Sequence, residues 1–277
     1  MRKNFGVIGY PIGHTMSPFI QKELFSLRGF DAAYGKFEIA PERLEAEFSG
    51  KLKELDGFNV TIPHKVAIIP FLDELDTSAA GYGAVNTVKC QDGRFIGYNT
   101  DAYGFKKGLE FSGIEFAGRI AVYGYGGAAR TIITEGIKAG CEVAVITSAD
   151  RKEKALSAIK QINEKVVVFA AEEFDKNFDL FVNASPVGMY PNSSASPIDE
   201  QQIEMFNCIY DIVYNPFETE LVKMAKNRGK VWGNGLSMLV CQAQLAQTYW
   251  CGAEFSTDET RLVIHKAEQE LQEVFGK

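Results

Sequence analysis

Short apolar blocks separated by polar turns run along the whole chain and predict an α/β protein. The apolar run at 5–10 predicts a buried strand, and Ser17 followed by Pro18 predicts the start of a helix with Ser17 as its N-cap. Alternation of apolar and polar residues predicts further strands at 34–39 and 57–62.

Two helices and a hairpin complete the first hundred residues. The stretch at 40–50 predicts a helix that ends at a glycine, and 65–75 predicts a helix bent or broken at Pro70. Gln91-Asp92-Gly93 separates two strand-like segments and predicts a hairpin turn. Strands and helices that alternate before a hairpin predict a sheet of mixed direction.

The second part of the chain predicts a doubly wound parallel sheet. Residues 119–147 form a pattern of strand, glycine turn, helix and strand, and the largely apolar runs at 165–170, 178–185 and 207–215 are typical of strands buried on both faces. An apolar helix of about 16 residues follows Gly235. The last segment is amphipathic, with Ser256 or Thr257 as its cap.

Composition narrows the class of protein. A length of 277 residues is typical of two domains, and a net charge of -7 argues against nucleic-acid binding. Five scattered cysteines predict reduced thiols in a cytoplasmic protein, and neither they nor the three histidines have metal-ligand spacing. The apolar run near the N-terminus is too short for a signal peptide, and no run approaches the length of a membrane span.

A glycine-rich turn at 124–129 predicts a dinucleotide site. Gly124, Gly126 and Ala129 fit the G-x-G-x-x-G/A fingerprint, which lets the backbone approach a pyrophosphate and presents the helix N-terminus to it. The alternative is a structural turn between strand and helix. The apolar strand before the turn and the helix after it favour nucleotide binding.

Polar side chains recur at the ends of the predicted strands. Each has an ordinary explanation as a cap or a turn residue, but together they favour a site for a small ligand rich in hydroxyl groups. They are Thr15, Ser17, Asn59, Thr61, Asn86, Asn99, Asp101, Asn183, Ser185, Tyr214 and Asn215.

Eight motifs in order make the chain resemble the shikimate dehydrogenase family. They are GYPIGHTMSP, NVTIPHK, GAVNTV, GYNTDAYG, GYGGAAR, NASPVGM, DIVYNP and GLSMLVCQA. The resemblance implies reversible reduction of 3-dehydroshikimate to shikimate with a nicotinamide cofactor, in aromatic amino-acid biosynthesis. It also implies a substrate domain at 1–101 and 237–277, a Rossmann domain at 102–236, and a cleft between them.

The same resemblance implies the roles of individual residues. Lys65 and Asp101 would be the catalytic pair, with the ammonium placed to protonate or stabilise the developing alkoxide. The substrate would be bound by Thr15, Ser17, Asn59, Thr61, Asn86, Tyr214 and Gln242. The cofactor would be bound by Gly124, Gly126, Gly127, Ala128, Ala129, Arg130, Ser148, Asp150, Arg151, Asn183, Ser185, Gly235 and Met238.

The chain departs from the family at two places. The first motif usually reads H-S-x-S, and Thr15 stands at its first serine with the hydroxyl kept. NADP-dependent members carry an arginine for the 2′-phosphate where this chain has Ser148, and the nearby Asp150 is typical of NAD sites. Arg130, Arg151 and Lys152 could replace the missing charge. We favour NADP as the cofactor, with NAD as the alternative.

Two other functions stay open at this point. A quinate/shikimate dehydrogenase that prefers NAD would share the fold and the Lys65–Asp101 pair. A noncatalytic nucleotide-sensing module is expected to have lost one member of that pair, and both are present. We expect a small-molecule substrate, no nucleic-acid or membrane partner, and either a monomer or a homodimer.

Overall fold

The computed structural model describes residues 2–13, 15–174 and 176–275, so His14 of the first motif lies outside the described residues. Its contacts divide the chain into two compact units. The first unit contains Met1–Tyr103 and Leu239–Ala267, and the second contains Gly104–Met238 and Glu268–Lys277. The α/β class is confirmed, while the functions assigned to the two predicted domains stay predictions.

The first unit is built on a six-stranded mixed sheet in the order β2-β1-β3-β5-β6-β4. Strand β5 runs antiparallel to β3 and β6, and the other neighbours are parallel. Asp92 and Gly93, with φ of 53° and 77°, form the predicted hairpin turn between β5 and β6. The strands are β1 Lys3–Gly9, β2 Ala32–Glu38, β3 Gly57–Val60, β4 Glu74–Leu75, β5 Thr87–Gln91 and β6 Arg94–Tyr98.

The second unit contains a six-stranded parallel sheet in the order β12-β11-β10-β7-β8-β9. Numbered within the unit and read from β9, this is the order 3-2-1-4-5-6 of a Rossmann fold. The predicted doubly wound sheet is therefore confirmed. The strands are β7 Arg119–Tyr123, β8 Glu142–Thr147, β9 Val167–Ala170, β10 Phe178–Asn183, β11 Phe206–Asp211 and β12 Val231–Asn234.

Ten α-helices are described. They are α1 Ser17–Leu27, α2 Leu44–Ser49, α3 His64–Ala67, α4 Thr77–Ala80, α5 Asp101–Phe111, α6 Gly127–Lys138, α7 Lys152–Lys160, α8 Glu220–Asn227, α9 Gly235–Cys251 and α10 Thr257–Phe275. Short 3₁₀ turns precede α2 and α7. The cap of α10 is Ser256, which accepts the Glu259 N–H at 3.2 Å while Glu259 accepts the Ser256 N–H at 2.8 Å.

The predicted N-cap at Ser17 is wrong. Met16 is the N-cap, and Ser17 is the first helical residue. The physical reason is the hydroxyl of Thr15, which accepts the Ser17 N–H at 3.2 Å and so satisfies the first free amide of the helix.

The helix predicted at 65–75 is also wrong in its extent. Helix α3 ends at Ala67, and Pro70 lies in a separate 3₁₀ turn at Ile69–Phe71. The backbone after this turn forms hydrogen bonds with β6. The Asp73 N–H donates to the Phe95 carbonyl, and the two residues of β4 pair with β6. These bonds between strands replace helical ones.

Apolar residues cover both faces of the second sheet. Val122, Val145 and Leu180 pack on one face, while Ala121 and Phe181 pack on the other. In the first unit, the indole of Trp250 fills a notch at Gly57, where an added Cβ would lie 2.5 Å from its Nε1. The indole N–H donates to the Val88 carbonyl at 2.9 Å. Helix α9 is therefore anchored to the centre of the first sheet.

Candidate active site

The topology of the first sheet brings the predicted catalytic residues to one edge. Strands β1, β3 and β6 run in the same direction, so their carboxyl ends meet there beside the amino end of β5. Lys65 follows β3, Asp101 follows β6, and Asn86 precedes β5. Side chains that are far apart in sequence thus share a small region.

Lys65 and Asp101 form a close, largely buried ion pair. The Lys65 Nζ donates to Asp101 Oδ2 at 2.6 Å, and the two side chains are 19% and 3% exposed. Lys65 lies in the first turn of α3, and Asp101 begins α5 with its N–H bound to Asn99 Oδ1 at 2.9 Å. The pair predicted from the motifs is assembled, although its catalytic role stays a prediction here.

Asn86 holds the second oxygen of this carboxylate. Its Nδ2 donates to Asp101 Oδ1 and to Thr100 Oγ1, both at 2.9 Å, and its Oδ1 accepts the Thr100 N–H at 2.8 Å. The amide is buried, and its orientation is fixed because its oxygen faces a donor and its nitrogen faces acceptors.

Asn59 uses its whole side-chain amide within the protein. Its Oδ1 accepts from the Tyr34 hydroxyl at 2.7 Å and from Gln21 Nε2 at 3.3 Å. Its Nδ2 donates to the Asn86 carbonyl at 3.2 Å and to Thr87 Oγ1 at 3.0 Å. A substrate could bind Asn59 only by displacing one of these partners.

The other predicted substrate residues are more dispersed. Thr15 and Ser17 are joined by a hydroxyl–hydroxyl bond of 3.1 Å, so the substitution at Thr15 keeps a bonded pair. Thr61 and Gln242 are half-buried in the first unit. Tyr214 is half-buried in the second unit, in the loop after β11.

The glycine turn of the second unit has the features of a phosphate site. Gly124 has a φ of 111°, and an added Cβ would lie 3.1 Å from the Ala184 carbonyl oxygen. Gly126 and Gly127 face open space, and no side chain among the described residues caps the N-terminus of α6. Ala128 is half-buried, whereas Ala129 is fully buried against the core, as the third fingerprint position requires.

This turn lies at the switch point of the sheet, between β7 and β10. On the β10 side, Asn183 Oδ1 accepts from the N–H and hydroxyl of Ser185, at 3.2 and 2.8 Å. Asn183 Nδ2 donates to Asp211 Oδ1 at 2.8 Å. Ligands of doubly wound sheets bind at the switch point, so both loops are suitably placed for a dinucleotide.

Asp211 is a site-forming residue that the sequence reasoning did not single out. It is fully buried at the end of β11 and also accepts the Val213 N–H at 3.0 Å and the Thr219 hydroxyl at 2.6 Å. Burial raises its pKa to about 6, although these donors oppose the rise. The sequence signal that could have identified Asp211 is the presence of an aspartate in a largely apolar predicted strand.

Gly235 and Met238 begin α9. An added Cβ at Gly235 would lie only 1.9 Å from the Ile212 carbonyl oxygen, so this position has room only for glycine. Met238 is buried in the core cluster with Phe105 and Tyr210. Its predicted role near the nicotinamide stays a prediction.

The charges after β8 are arranged on the surface. The side chains of Asp150 and Arg151 are 75% and 66% exposed, and Arg151 Nε lies 3.9 Å from Asp150 Oδ2. A hydrogen bond from Ser148, together with the nearby Arg151, lowers the pKa of Asp150. Lys152 is paired with Glu173 at 2.5 Å. Within the described residues Arg130, in the first turn of α6, forms no ion pair.

Three other findings bear on the kind of site and of protein. His64 is fully buried, and its Nε2–H donates to the Ile39 carbonyl at 2.7 Å. Across the described parts of the chain, no three His, Cys, Asp or Glu side chains cluster as metal ligands would. Of the helices described, none combines the length and apolar character needed to cross a bilayer.

The fold and the site define a class. The strand order and the glycine turn are those of dinucleotide-binding α/β proteins, and the buried lysine–aspartate pair is suited to proton transfer. Residues 7–88 match the family model described as the shikimate dehydrogenase substrate binding domain.

Known proteins give the family. The shikimate dehydrogenase (NADP(+)) of Shouchella clausii is 40% identical, with 91% of this chain and 94% of the relative covered. Two solved shikimate 5-dehydrogenases are also similar. The Thermus thermophilus structure with NADP(H) and shikimate has a TM-score of 0.85 and 31% identity, covering 96% of this chain and 99% of that one. The Listeria monocytogenes structure with shikimate and NAD has a TM-score of 0.80 and 28% identity, covering 95% and 96%. This chain belongs to the shikimate dehydrogenase family.

Proposed function

We propose that the protein catalyses the reversible, NADP-dependent reduction of 3-dehydroshikimate to shikimate in aromatic amino-acid biosynthesis. The observation that carries the proposal is the Lys65–Asp101 pair, held at 2.6 Å and bound by Asn86 at the sheet edge. The names of the relatives support the same activity. In this proposal the first unit binds the substrate, and the second unit binds the cofactor.

In this proposal, different residues of the first unit transfer the proton, orient the lysine and bind the substrate. The Lys65 ammonium donates a proton to the carbonyl oxygen as it becomes a hydroxyl, and it takes the proton back in the reverse direction. Asp101 keeps Lys65 oriented through its 2.6 Å bond. Thr15, Ser17, Thr61 and Gln242 of the first unit are proposed to bind the hydroxyl and carboxylate groups of the substrate. The substrate role of Tyr214, which lies in the second unit, stays a prediction.

The second unit fits a dinucleotide. The uncapped N-terminus of α6 and the open space before Gly126 and Gly127 suit the pyrophosphate. The bound cofactor supplies the hydride that the ketone carbon accepts. The loop of Asn183 and Ser185, with Gly235 and Met238, is proposed to line the remaining part of this site.

NADP is our proposal for the preferred cofactor. Arg130 in the first turn of α6 and the exposed Arg151 provide positive charge for a 2′-phosphate. They would replace the arginine that NADP-dependent members of the family carry at the position of Ser148. Asp150 would then turn away from the phosphate. The Shouchella clausii relative is named for NADP(+), whereas the Listeria monocytogenes structure contains NAD, which keeps NAD as the alternative. A cytoplasmic location and a monomeric or homodimeric state remain parts of the proposal.

Steady-state kinetics test this function directly. We expect the protein to oxidise shikimate, with a higher kcat/KM for NADP+ than for NAD+. Absence of turnover with shikimate and either cofactor would contradict the enzymatic proposal and favour a nucleotide-sensing module. A higher kcat/KM with NAD+ would contradict the cofactor assignment, and a higher value with quinate than with shikimate would favour the quinate/shikimate alternative.

A further inference from the structure

A continuous row of hydrogen bonds crosses the first sheet and ends at the catalytic pair. The Tyr34 hydroxyl donates to Asn59 Oδ1 at 2.7 Å, and Asn59 Nδ2 donates to Thr87 Oγ1 at 3.0 Å. The Thr87 hydroxyl donates to Asn86 Oδ1 at 3.1 Å, and Asn86 Nδ2 donates to Asp101 Oδ1 at 2.9 Å. The four hydrogen bonds run in the same direction: in each, the donor lies on the Tyr34 side and the acceptor on the Asp101 side.

The direction of these hydrogen bonds is fixed at the Tyr34 end of the row. Burial raises the pKa of Tyr34 well above its usual value, so its hydroxyl keeps the proton that it donates. Gln247 Nε2 donates to Gln21 Oε1 at 2.8 Å, which leaves Gln21 Nε2 to face Asn59 Oδ1. Asn59 therefore has donors at its oxygen and must present its nitrogen to Thr87.

Thr87 is the link that the proposed mechanism does not use. Its side chain is fully buried, and its hydroxyl has one proton and accepts from Asn59. That proton is therefore directed to Asn86 Oδ1. Bonds in such a row polarise one another, and a buried polar group that loses its partner is costly.

We propose that Thr87 is a positioning residue, and that Asn59 acts through it on Asn86 and Asp101 instead of binding the substrate. This inference rests on the proposed function, because it assigns Thr87 and Asn59 to the alignment of the Lys65–Asp101 pair. Together with the Thr100 N–H, which donates to Asn86 Oδ1 at 2.8 Å, the row keeps the Asn86 amide turned toward Asp101 and so keeps the carboxylate in place for Lys65.

The test compares three substitutions in the full chain. Thr87→Val removes the link, Thr87→Ser keeps the hydroxyl, and Tyr34→Phe removes the outermost donor. The control is Thr260→Val, because Thr260 is also buried in the first unit and its hydroxyl accepts from Gln244 Nε2 at 2.9 Å and donates to the Ser256 carbonyl at 2.8 Å. The measurements are kcat and KM for shikimate oxidation at saturating cofactor.

We expect Thr87→Val to lower kcat about fivefold to tenfold, as the loss of one buried hydrogen bond from an aligned site implies. KM for shikimate should stay within about twofold, because Thr87 does not contact the substrate in this proposal. Thr87→Ser should restore kcat, Tyr34→Phe should lower it about twofold, and Thr260→Val should leave it unchanged.

Three results would overturn the inference while leaving the proposed function intact. They are an unchanged kcat in Thr87→Val, a rise in KM without a fall in kcat, and an equal fall in Thr260→Val. If the wild type does not turn over shikimate, the proposed function fails separately. A double-mutant cycle of unfolding free energies then decides the inference, since uncoupled effects of Thr87→Val and Asp101→Asn would contradict the row.

Discussion

Asp101 and Asp211 occupy similar positions in the two units but have different partners. Each is buried near the carboxyl end of a strand, and each accepts a hydrogen bond from an asparagine amide, at 2.9 Å from Asn86 and at 2.8 Å from Asn183. Asp101 also faces the Lys65 ammonium. The other bonds of Asp211 in the described structure come from the neutral Val213 N–H and Thr219 hydroxyl.

The difference separates a carboxylate that we propose takes part in catalysis from one that supports the fold. Neutral donors offset only part of the cost of burying Asp211, so its pKa rises to about 6, and it ties together Asn183, the loop after β11 and the start of α8. The lysine beside Asp101 provides both a compensating charge and a proton that can be transferred. Removing the charge from each site in turn tests this comparison.

The largest effect should follow removal of the ammonium. Lys65→Met would leave Asp101 with neutral donors only, as Asp211 is, and would remove the proposed general acid. We expect kcat to fall about 10²- to 10⁴-fold in steady-state assays. Lys106→Met is the matched control, because Lys106 pairs with Glu135 at 2.7 Å in the second unit. A Lys65→Met variant that kept more than about a tenth of the wild-type kcat would contradict the assignment.

An intermediate effect should appear in stability at Asp211. The pKa rises from 3.8 in the unfolded chain to about 6 in the folded one, so between these values the folded state holds a proton that the unfolded state has released. The free energy of unfolding therefore falls as pH rises through this window, by about 3 kcal/mol.

The Asp211→Asn variant should lack this pH-dependent change in the free energy of unfolding, because asparagine does not titrate. Urea unfolding of both proteins from pH 4 to pH 7 measures it, because other titrations cancel in the difference between them. We expect the stability of the wild type relative to the variant to decrease across the window. A difference that does not change with pH would show that burial does not raise the pKa of Asp211.

The smallest effect should come from the exposed cations of the second unit, which face solvent instead of a buried carboxylate. Arg151→Ala should raise KM for NADP+ about threefold to tenfold and leave KM for NAD+ within about twofold, because only NADP+ carries the 2′-phosphate. Lys160→Ala, at the far end of α7, is the control. Equal increases for both cofactors would exclude a specific contact with the phosphate.

The sequence predicts the parts of this comparison that depend on local pattern. The glycine turn and the parallel strands of the second unit follow from residue order alone, and the Asp92-Gly93 hairpin follows from its turn residues. The choice of Lys65 and Asp101 came from motif resemblance. Their contact depends on β5 lying between β3 and β6. The hairpin predicts the pairing of β5 with β6, whereas the pairing of β5 with β3 is known only from the structure.

Features that depend on tertiary contacts could not be predicted in this way. Helix α5 was not predicted, because Gly104 and Gly108 weaken its pattern, and Gly108 is needed where an added Cβ would lie 2.1 Å from the Tyr210 hydroxyl. Strand β4 has only two residues, which are ordered by β6. The complete internal bonding of Asn59 likewise depends on partners in α1, β2 and β5.

The notch at Gly57 has a consequence for the order in which the protein is made. Trp250, which fills it, is 162 residues from its hydrogen-bond partner Val88, so a ribosome working at about 5–20 residues per second adds it roughly 8–30 s later. During that interval the first sheet has its strands but lacks the helix that covers Gly57, and the nascent chain exposes apolar surface there. All six strands of the second sheet lie between Val88 and Trp250, so they are made before the helix that closes the first sheet.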